Sequence, residues 1–348
     1  MIRVGIAGLG FMGMIHYLAY QKVKGVKVAA LCEVDAKRLA GDWRGIKGNF
    51  GPPGQMMDLS GIDKYQDLAE MLANPKLDYV DLCLPPGAHA AATIQSLAAG
   101  KHVFCEKPIA LKVADGRRMV AAAAKAGKLL MIGHVLPFFP EYQFAYQTIS
   151  RGKYGKLLGG HFKRITADPL WLRDFYDPDK VGGPMIDLHI HDAHFIRLVC
   201  GLPQSVFTAG RMRGEVAEFF TSTFQFADPK LSVTATSGAI MQQGRAFTHG
   251  YEIHLENATL LFDFSVVDGK PEINMPVTLC SSDGKVHRPQ FASTDPVDSF
   301  AAELTEVVKS VRKRRPSDVL DGSLACDALA MGAAETESVR KGKLVKIA

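Results

Sequence analysis

The sequence predicts an α/β fold, with a parallel, doubly wound sheet in its first part and a mostly antiparallel second domain. Three observations lead there. The chain has 348 residues, beyond the size at which one hydrophobic core usually keeps growing, so two domains are expected. Short apolar runs alternate with alanine-rich helical stretches as far as Gly133, the rhythm of strand–helix–strand units. From Gly160 onward the rhythm changes to successive strands broken by turn dipeptides. The border is placed between residues 134 and 135.

In the first domain, residues 2–7 (IRVGIA) are short, apolar and glycine-bounded, as a strand buried on both faces would be. Residues 26–32, 78–84, 101–105 and 129–133 repeat the pattern, and 88–99 and 112–126 read as helices between strands. Residues 41–64 interrupt it: Gly45, Gly48, Gly51, Pro52, Pro53 and Gly54 predict a long irregular loop. In the second domain, strands are expected at 160–167, 205–212, 218–226, 231–238 and 251–256. Asp228-Pro229, Glu256-Asn257 and Asp283-Gly284 supply turns, so consecutive strands pair as antiparallel hairpins.

Composition narrows the class. Hydrophobic residues are 47% and charged residues 22%, which excludes a disordered or collagen-like chain. The net charge of +5 is a mild excess, and the one basic cluster, Lys309–Arg315, reads as a solvated helix end; no nucleic-acid partner is expected. Six cysteines without a C-x-x-C pair read as buried thiols in a reducing compartment, so the cytoplasm is expected. No apolar run is long enough for a membrane span, and the apolar N-terminus reads as strand and turn rather than as a signal peptide.

The first strand runs into Gly8-Leu9-Gly10-Phe11-Met12-Gly13, a G-x-G-x-x-G that opens a helix, and the second strand ends in Glu33, 20 residues after Gly13. Each part has a task in holding a dinucleotide: a tight turn, a close backbone approach to the pyrophosphate, and close packing of helix on strand. The helix N-terminus offers free N–H groups and a positive dipole end, and the acid accepts hydrogen bonds from the ribose hydroxyls. A carboxylate at Glu33 repels a 2′-phosphate, which favours NAD over NADP. Lys37 and Arg38 lie close enough in sequence to offset that, or to flank the adenine. The 41–64 loop is placed near the adenosine end.

Ligands in such sheets bind at the carboxyl ends of the strands. Two strand ends carry unusual residues there: Leu84-Pro85-Pro86-Gly87-Ala88-His89 and Cys105-Glu106-Lys107-Pro108. Leu84, Pro85, His89, Glu106 and Lys107 are therefore placed beside the cofactor, and Lys107 could polarise a substrate hydroxyl. In the second domain Asp187, His189, His191, Asp192 and His194 crowd together; read as a helix start, Asp187, His191 and His194 share one face. Proton transfer, metal binding and a structural role all remain open on spacing alone. Trp171 and Arg173 in the loop before Gly182-Gly183, and more weakly Lys163 and Arg164, are candidates for substrate contact.

Glu106-Lys107-Pro108 after a G-x-G-x-x-G domain resembles the signature of the Gfo/Idh/MocA oxidoreductases, and Gly182-Gly183-Pro184-Met185-Ile186-Asp187-Leu188-His189-Ile190-His191 resembles the family's glycine pair followed by D-x-x-x-H. The resemblance covers essentially the whole chain. It implies a Rossmann domain followed by an α+β domain with a large open, mostly antiparallel sheet, and a C-terminal helix near 322–341 able to pack back on the first domain. It implies hydride transfer between NAD(P) and a hydroxyl carbon of a sugar, sugar derivative or inositol. Carried over by motif, Lys107 is the catalytic lysine, Asp187 the orienting acid and His191 the proton-transferring histidine, with no metal; His194 is left as a substrate-lining candidate. It further implies a homodimer or homotetramer formed through the second sheet. The sequence departs from the family at Leu84, where threonine is frequent, at Pro137, in a segment that often holds arginine, and at His189, where glycine is usual. Two alternatives share these residues: cleavage of a glycosidic bond through transient oxidation without net redox change, and a non-catalytic NAD-binding sensor.

Overall fold

The computed structural model of the chain describes residues 1–48, 50–293 and 295–347. It separates into two compact units, Met1–Phe139 with Ser293–Cys326, and Pro140–Ala292 with Asp327–Ala348. This differs from a single border at 134/135, because the segment 293–326 packs with the first unit. That return is made by 293–326, whereas most of the helix over 322–341 belongs to the second unit.

The first unit begins β1 (Ile2–Ala7), α1 (Phe11–Tyr20), β2 (Val26–Cys32), α2 (Ala36–Leu39), β3 (Asp63–Tyr65), α3 (Leu68–Leu72), β4 (Tyr79–Leu82), α4 (His89–Ala98), β5 (His102–Glu106), α5 (Val113–Ala126) and β6 (Leu130–Gly133). The strands form a parallel sheet in the order β3-β2-β1-β4-β5-β6. The order reverses direction at β1, the switch point at whose carboxyl strand ends ligands bind in such sheets. Val4, Ile6, Val80, Leu82, Val103 and Phe104 are fully buried, each worth about 1.5–3 kcal/mol of apolar burial. Helix ends follow local chemistry. Asp67 caps α3 by accepting from the Ala69 and Glu70 N–H groups, and Gly127 closes α5 in the left-handed conformation at φ +60°.

The expected loop at 41–64 is irregular, yet it is anchored. Trp43 is fully buried against Tyr17 of α1, with ring centroids 5.0 Å apart, and its Nε1 donates to the Arg38 carbonyl at 2.9 Å.

In the second unit lie α6 (Pro140–Ser150), β7 (Leu157–Ala167), α7 (Ile190–Cys200), β8 (Ser205–Arg213), β9 (Val216–Gln225), β10 (Ser232–Ile240), β11 (Arg245–Leu255), β12 (Ala258–Val267), β13 (Lys270–Ser281) and β14 (Val286–His287). The chain then supplies α8 (Pro296–Lys313) to the first unit, continues through α9 (Gly322–Lys341) and ends at β15 (Val345–Lys346). Among the described residues the second sheet runs β14-β13-β12-β11-β7-β10-β9-β8-β15. It is antiparallel except where β10 lies parallel to β7. Alternation along β9 shows its two faces: Phe220, Ser222 and Phe224 are buried, Thr221, Thr223 and Gln225 exposed. The buried face carries α9 through the Ser222–Glu335 and Thr208–Ser338 hydrogen bonds, and α7 through Phe162 against Phe195. No described helix is long and apolar enough to cross a membrane.

Pro296 at the first position of α8 and the Asp295 cap start that helix, and Phe300, Leu304, Val307, Val308 and Val311 give it an apolar stripe buried against α1. Its last turn holds Arg312 and Lys313, so the basic cluster is a helix end.

Candidate active site

The turn after β1 is built as its glycines predict. Gly8 sits at φ +91°, and a Cβ there would strike the Cys83 carbonyl; a Cβ on Gly13 would strike the Gly8 carbonyl. Gly10 differs: a Cβ on it would meet no atom within 4 Å, so the backbone is open to a ligand. Gly10 is also the N-cap of α1 and offers no side-chain cap, and the first turn holds no acid. An anion can therefore take the free N–H groups. Phe11 and Met12 are partly accessible in that first turn, and Phe11 packs edge-on against Phe50 at 4.8 Å.

Glu33 directly follows β2, with its carboxylate turned onto the same turn. Oε2 accepts from the Leu9 N–H at 2.6 Å and Oε1 from the Asp35 N–H at 3.0 Å. Two charge-assisted bonds to backbone fix this acid in place. Arg38, partly exposed on α2, stands 3.8 Å from Asp35.

The next strand ends are tied together by His89. Its Nε2 lies 2.8 Å from the Leu84 carbonyl and its Nδ1 2.8 Å from the Pro108 carbonyl, and the ring is fully buried. Burial lowers its pKa, outweighing the two carbonyls, which favour protonation. His89 is thus a brace beneath the two loops rather than the direct cofactor contact expected of it, because both ring nitrogens face backbone. Leu84 and Pro85 remain accessible above it. Glu106 is buried at the end of β5, and its Oε2 accepts the Lys107 N–H at 3.0 Å. Lys107 is partly exposed.

In the second unit Asp187 lies in a π-helical turn, Met185–His189, that runs directly into α7 with His191 and His194. Such wide turns are frequent at functional sites. The glycine pair before it is required: Gly182 and Gly183 have φ +85° and +67°, and a Cβ on Gly182 would stand 2.7 Å from Ile186 Cβ. Asp187 and His191 are partly exposed, whereas His194 and His189 are fully buried. Burial lowers the His189 pKa, but Glu335, 3.0 Å away, more than restores it, so the pair favours the charged ring.

Arg164 differs from its expected place among substrate contacts. It is buried, with Nε 2.7 Å and Nη2 3.1 Å from the two Asp192 oxygens, and a guanidinium forked onto a carboxylate has few donors left for a ligand. Lys163 is likewise paired, to Asp263 at 2.6 Å. Trp171 is 78% exposed and Arg173 is exposed. Their loop is anchored at buried Asp168, which takes Arg213 at 2.7 Å and the Tyr176 hydroxyl at 3.2 Å.

Sequence reading passed over His16, Asp81 and Glu303, all fully buried in the first unit. A signal for Asp81 existed: an acid inside an apolar strand that has no exposed face. His16, three residues after Gly13, looked like one more helix position.

The model of an oxidoreductase family with an NAD-binding Rossmann fold matches residues 2–134, and that of a GFO/IDH/MocA C-terminal domain matches residues 142–261. Myo-inositol 2-dehydrogenase of Thermotoga maritima is 26% identical over 99% of this chain and 98% of its own. The 2,7-anhydro-N-acetylneuraminate hydratase of Escherichia coli is 28% identical over 60% of this chain and 53% of its own. The crystal structure of scyllo-inositol dehydrogenase from Lactobacillus casei with NAD(H) and scyllo-inositol superposes with a TM-score of 0.75 at 22% identity, covering 100% of this chain and 99% of that one.

Proposed function

Because this chain belongs to the Gfo/Idh/MocA oxidoreductase family, we propose that it is an NAD-dependent dehydrogenase or reductase acting on a hydroxyl carbon of a sugar, sugar derivative or inositol. The observation that carries this reading is the open, uncapped N-terminus of α1 beside a fixed Glu33 carboxylate, which fits a dinucleotide with free ribose hydroxyls. Gly8, Gly10, Phe11, Met12 and Gly13 hold the pyrophosphate, and Glu33 turns away a 2′-phosphate. Arg38, already near Asp35, flanks the adenine end.

When bound, the nicotinamide supplies the hydride acceptor or donor. The chain's residues do the rest. Lys107 hydrogen-bonds the reacting oxygen and favours its anionic character. His191 takes the hydroxyl proton during oxidation and returns it during reduction. Asp187 orients His191 and the substrate. Trp171 offers an aromatic face and Arg173 a cation to an oxygen-rich ligand. The exposed face of the second sheet, with Phe207 on β8 at 43% exposure, is where a second copy binds.

The test is an absorbance screen at the NADH band, in both directions, with NAD and NADP against inositols, sugars and sugar acids. NADH formation from an inositol or sugar, with NADP at least about tenfold poorer in kcat/KM, is the expected result. A hydratase among the relatives favours one second reading, in which the substrate would be oxidised transiently and the hydride returned to it within each turnover, with no net redox change. Product without net NADH, from protein that retains its cofactor, selects that reading.

A further inference from the structure

Beneath the Lys107 loop lies a buried polar chain that the reaction as described does not use. His16, on the inner face of α1, is fully buried with its ring stacked on Phe104 at 5.6 Å. Its Nδ1 is 2.9 Å from Asp81 Oδ2 in β4, and its Nε2 is 2.9 Å from Glu106 Oε1 at the end of β5, an ion-pair contact lying off the hydrogen-bond line. Glu106 presents its other oxygen, Oε2, to the Lys107 N–H. Asp81 is held in turn by the Tyr20 hydroxyl at 2.9 Å, which receives the Tyr79 hydroxyl at 2.9 Å, and Cys83 Sγ donates to Asp81 at 3.4 Å.

The charges identify the ring's state. Two buried carboxylates facing one imidazole are accommodated at least cost when the imidazole is protonated. Burial alone lowers the His16 pKa, and Asp81 overrides that to leave it well above the usual value. Glu303, on α8, is fully buried near Glu106 and Asp81, and neither of its carboxylate oxygens has a hydrogen-bond partner among the described residues. Burial pushes its pKa well up, which disfavours a third negative charge there.

Three acids and a histidine in one apolar interior are expensive, and a core needs none of them. At one end the chain from Asp81 through His16 and Glu106 reaches the backbone of the lysine. We infer that His16 is a positioning residue: bridging Asp81 and Glu106, it fixes the Glu106 carboxylate on the Lys107 N–H and so sets where the Lys107 side chain stands. The inference rests on the reading of Lys107 as catalytic only for its kinetic consequence; the ordering of the loop is independent of it. The same His16, Asp81 and Cys83 atoms lie close enough to suggest a metal, but the thiol and the ring are already bonded to Asp81, which satisfies the group without one.

The experiment uses the full-length protein and two substitutions, His16→Asn and Asp81→Asn. Amide hydrogen exchange is followed by mass spectrometry in the peptide holding Lys107, with β6 as control. In His16→Asn the Lys107 peptide exchanges at least about tenfold faster while β6 keeps its rate; Asp81→Asn moves it the same way, by about threefold or more. With NAD and myo-inositol as the kinetic probe, His16→Asn lowers kcat by about tenfold or more, leaves NADH affinity within about twofold, and causes no further loss in a Lys107→Ala background. Unchanged Lys107 exchange in both variants overturns the inference, as does an equal rise in β6, which marks general loosening. If His16→Asn does not fold, Asp81→Asn decides by the same criteria. If Lys107→Ala retains full turnover, the catalytic reading falls while the exchange result still judges the positioning role.

Discussion

Glu33 Oε2 accepts the backbone N–H of Leu9 at 2.6 Å, so the acid directly after β2 is bonded to the very turn that opens α1. The residue proposed to select among dinucleotides is thus also bonded to the glycine turn itself. Glu33→Ala should therefore do two things at once. It leaves the Leu9 N–H without its buried acceptor and lowers stability by about 1–3 kcal/mol. It also raises the dissociation constant for NADH by about tenfold while narrowing the gap to NADPH. Fluorescence titration with both cofactors, alongside chemical unfolding, reads the two effects.

Gly13 makes the contact that lets α1 close onto β1, where a Cβ would collide with the Gly8 carbonyl. Gly13→Ala is expected to destabilise the first unit by about 2 kcal/mol or more and to abolish measurable NADH binding. Gly10→Ala, with open space around it, is expected to leave stability within about 0.5 kcal/mol and to weaken only the cofactor. Thermal unfolding with and without NADH distinguishes the pair.

Arg164 and Asp192 form a buried fork in the second unit, and removing the cation alone leaves an uncompensated carboxylate. Arg164→Leu should cost about 3–5 kcal/mol of stability. Substrate KM in any surviving enzyme should hardly change, since the guanidinium is spent on Asp192. A rise in KM with normal stability would instead return Arg164 to the substrate.

Stability should fall as pH rises above neutrality. His16 and His189 have folded-state values above the ordinary 6.5, the first through Asp81 and Cys83 and the second through Glu335, each against the opposing effect of burial. A raised value means the folded state holds the proton more tightly. The contribution is therefore complete below about pH 6.5 and is lost as pH climbs through the folded-state values, at up to about 1.4 kcal/mol per pH unit per group. Glu303, raised by burial, has the same sign, its contribution being lost above the ordinary glutamate range. Urea unfolding from pH 6 to 9 should show the decline, and His189→Asn should flatten part of it.

Much of this molecule was legible in its residues because local chemistry and global fold agree there. The glycine turn, Glu33, the parallel strands and the π-turn acid and histidine announce themselves through spacing that backbone geometry imposes. The parallel pairing of β10 with β7 was not legible, since sequence-adjacent strands suggest hairpins and only the whole sheet decides which strand lies beside which. The segment 293–326 was likewise hidden: the stripe on α8 shows that it buries a face, but not against which unit. Arg164 and His89 look functional in sequence because polar residues near strand ends usually are. Their burial against Asp192 and against two carbonyls is a tertiary fact.

The central claim is that Lys107 acts on the reacting oxygen while the glycine turn and Glu33 hold the cofactor independently. Once the substrate screen has supplied a turned-over sugar or inositol, the deciding measurement is steady-state turnover of Lys107→Ala paired with NADH titration of the same sample. The account predicts a fall in kcat of about a thousandfold or more with the NADH dissociation constant within about twofold of the unaltered protein. Turnover within about tenfold of the unaltered protein, with cofactor binding intact, would contradict it.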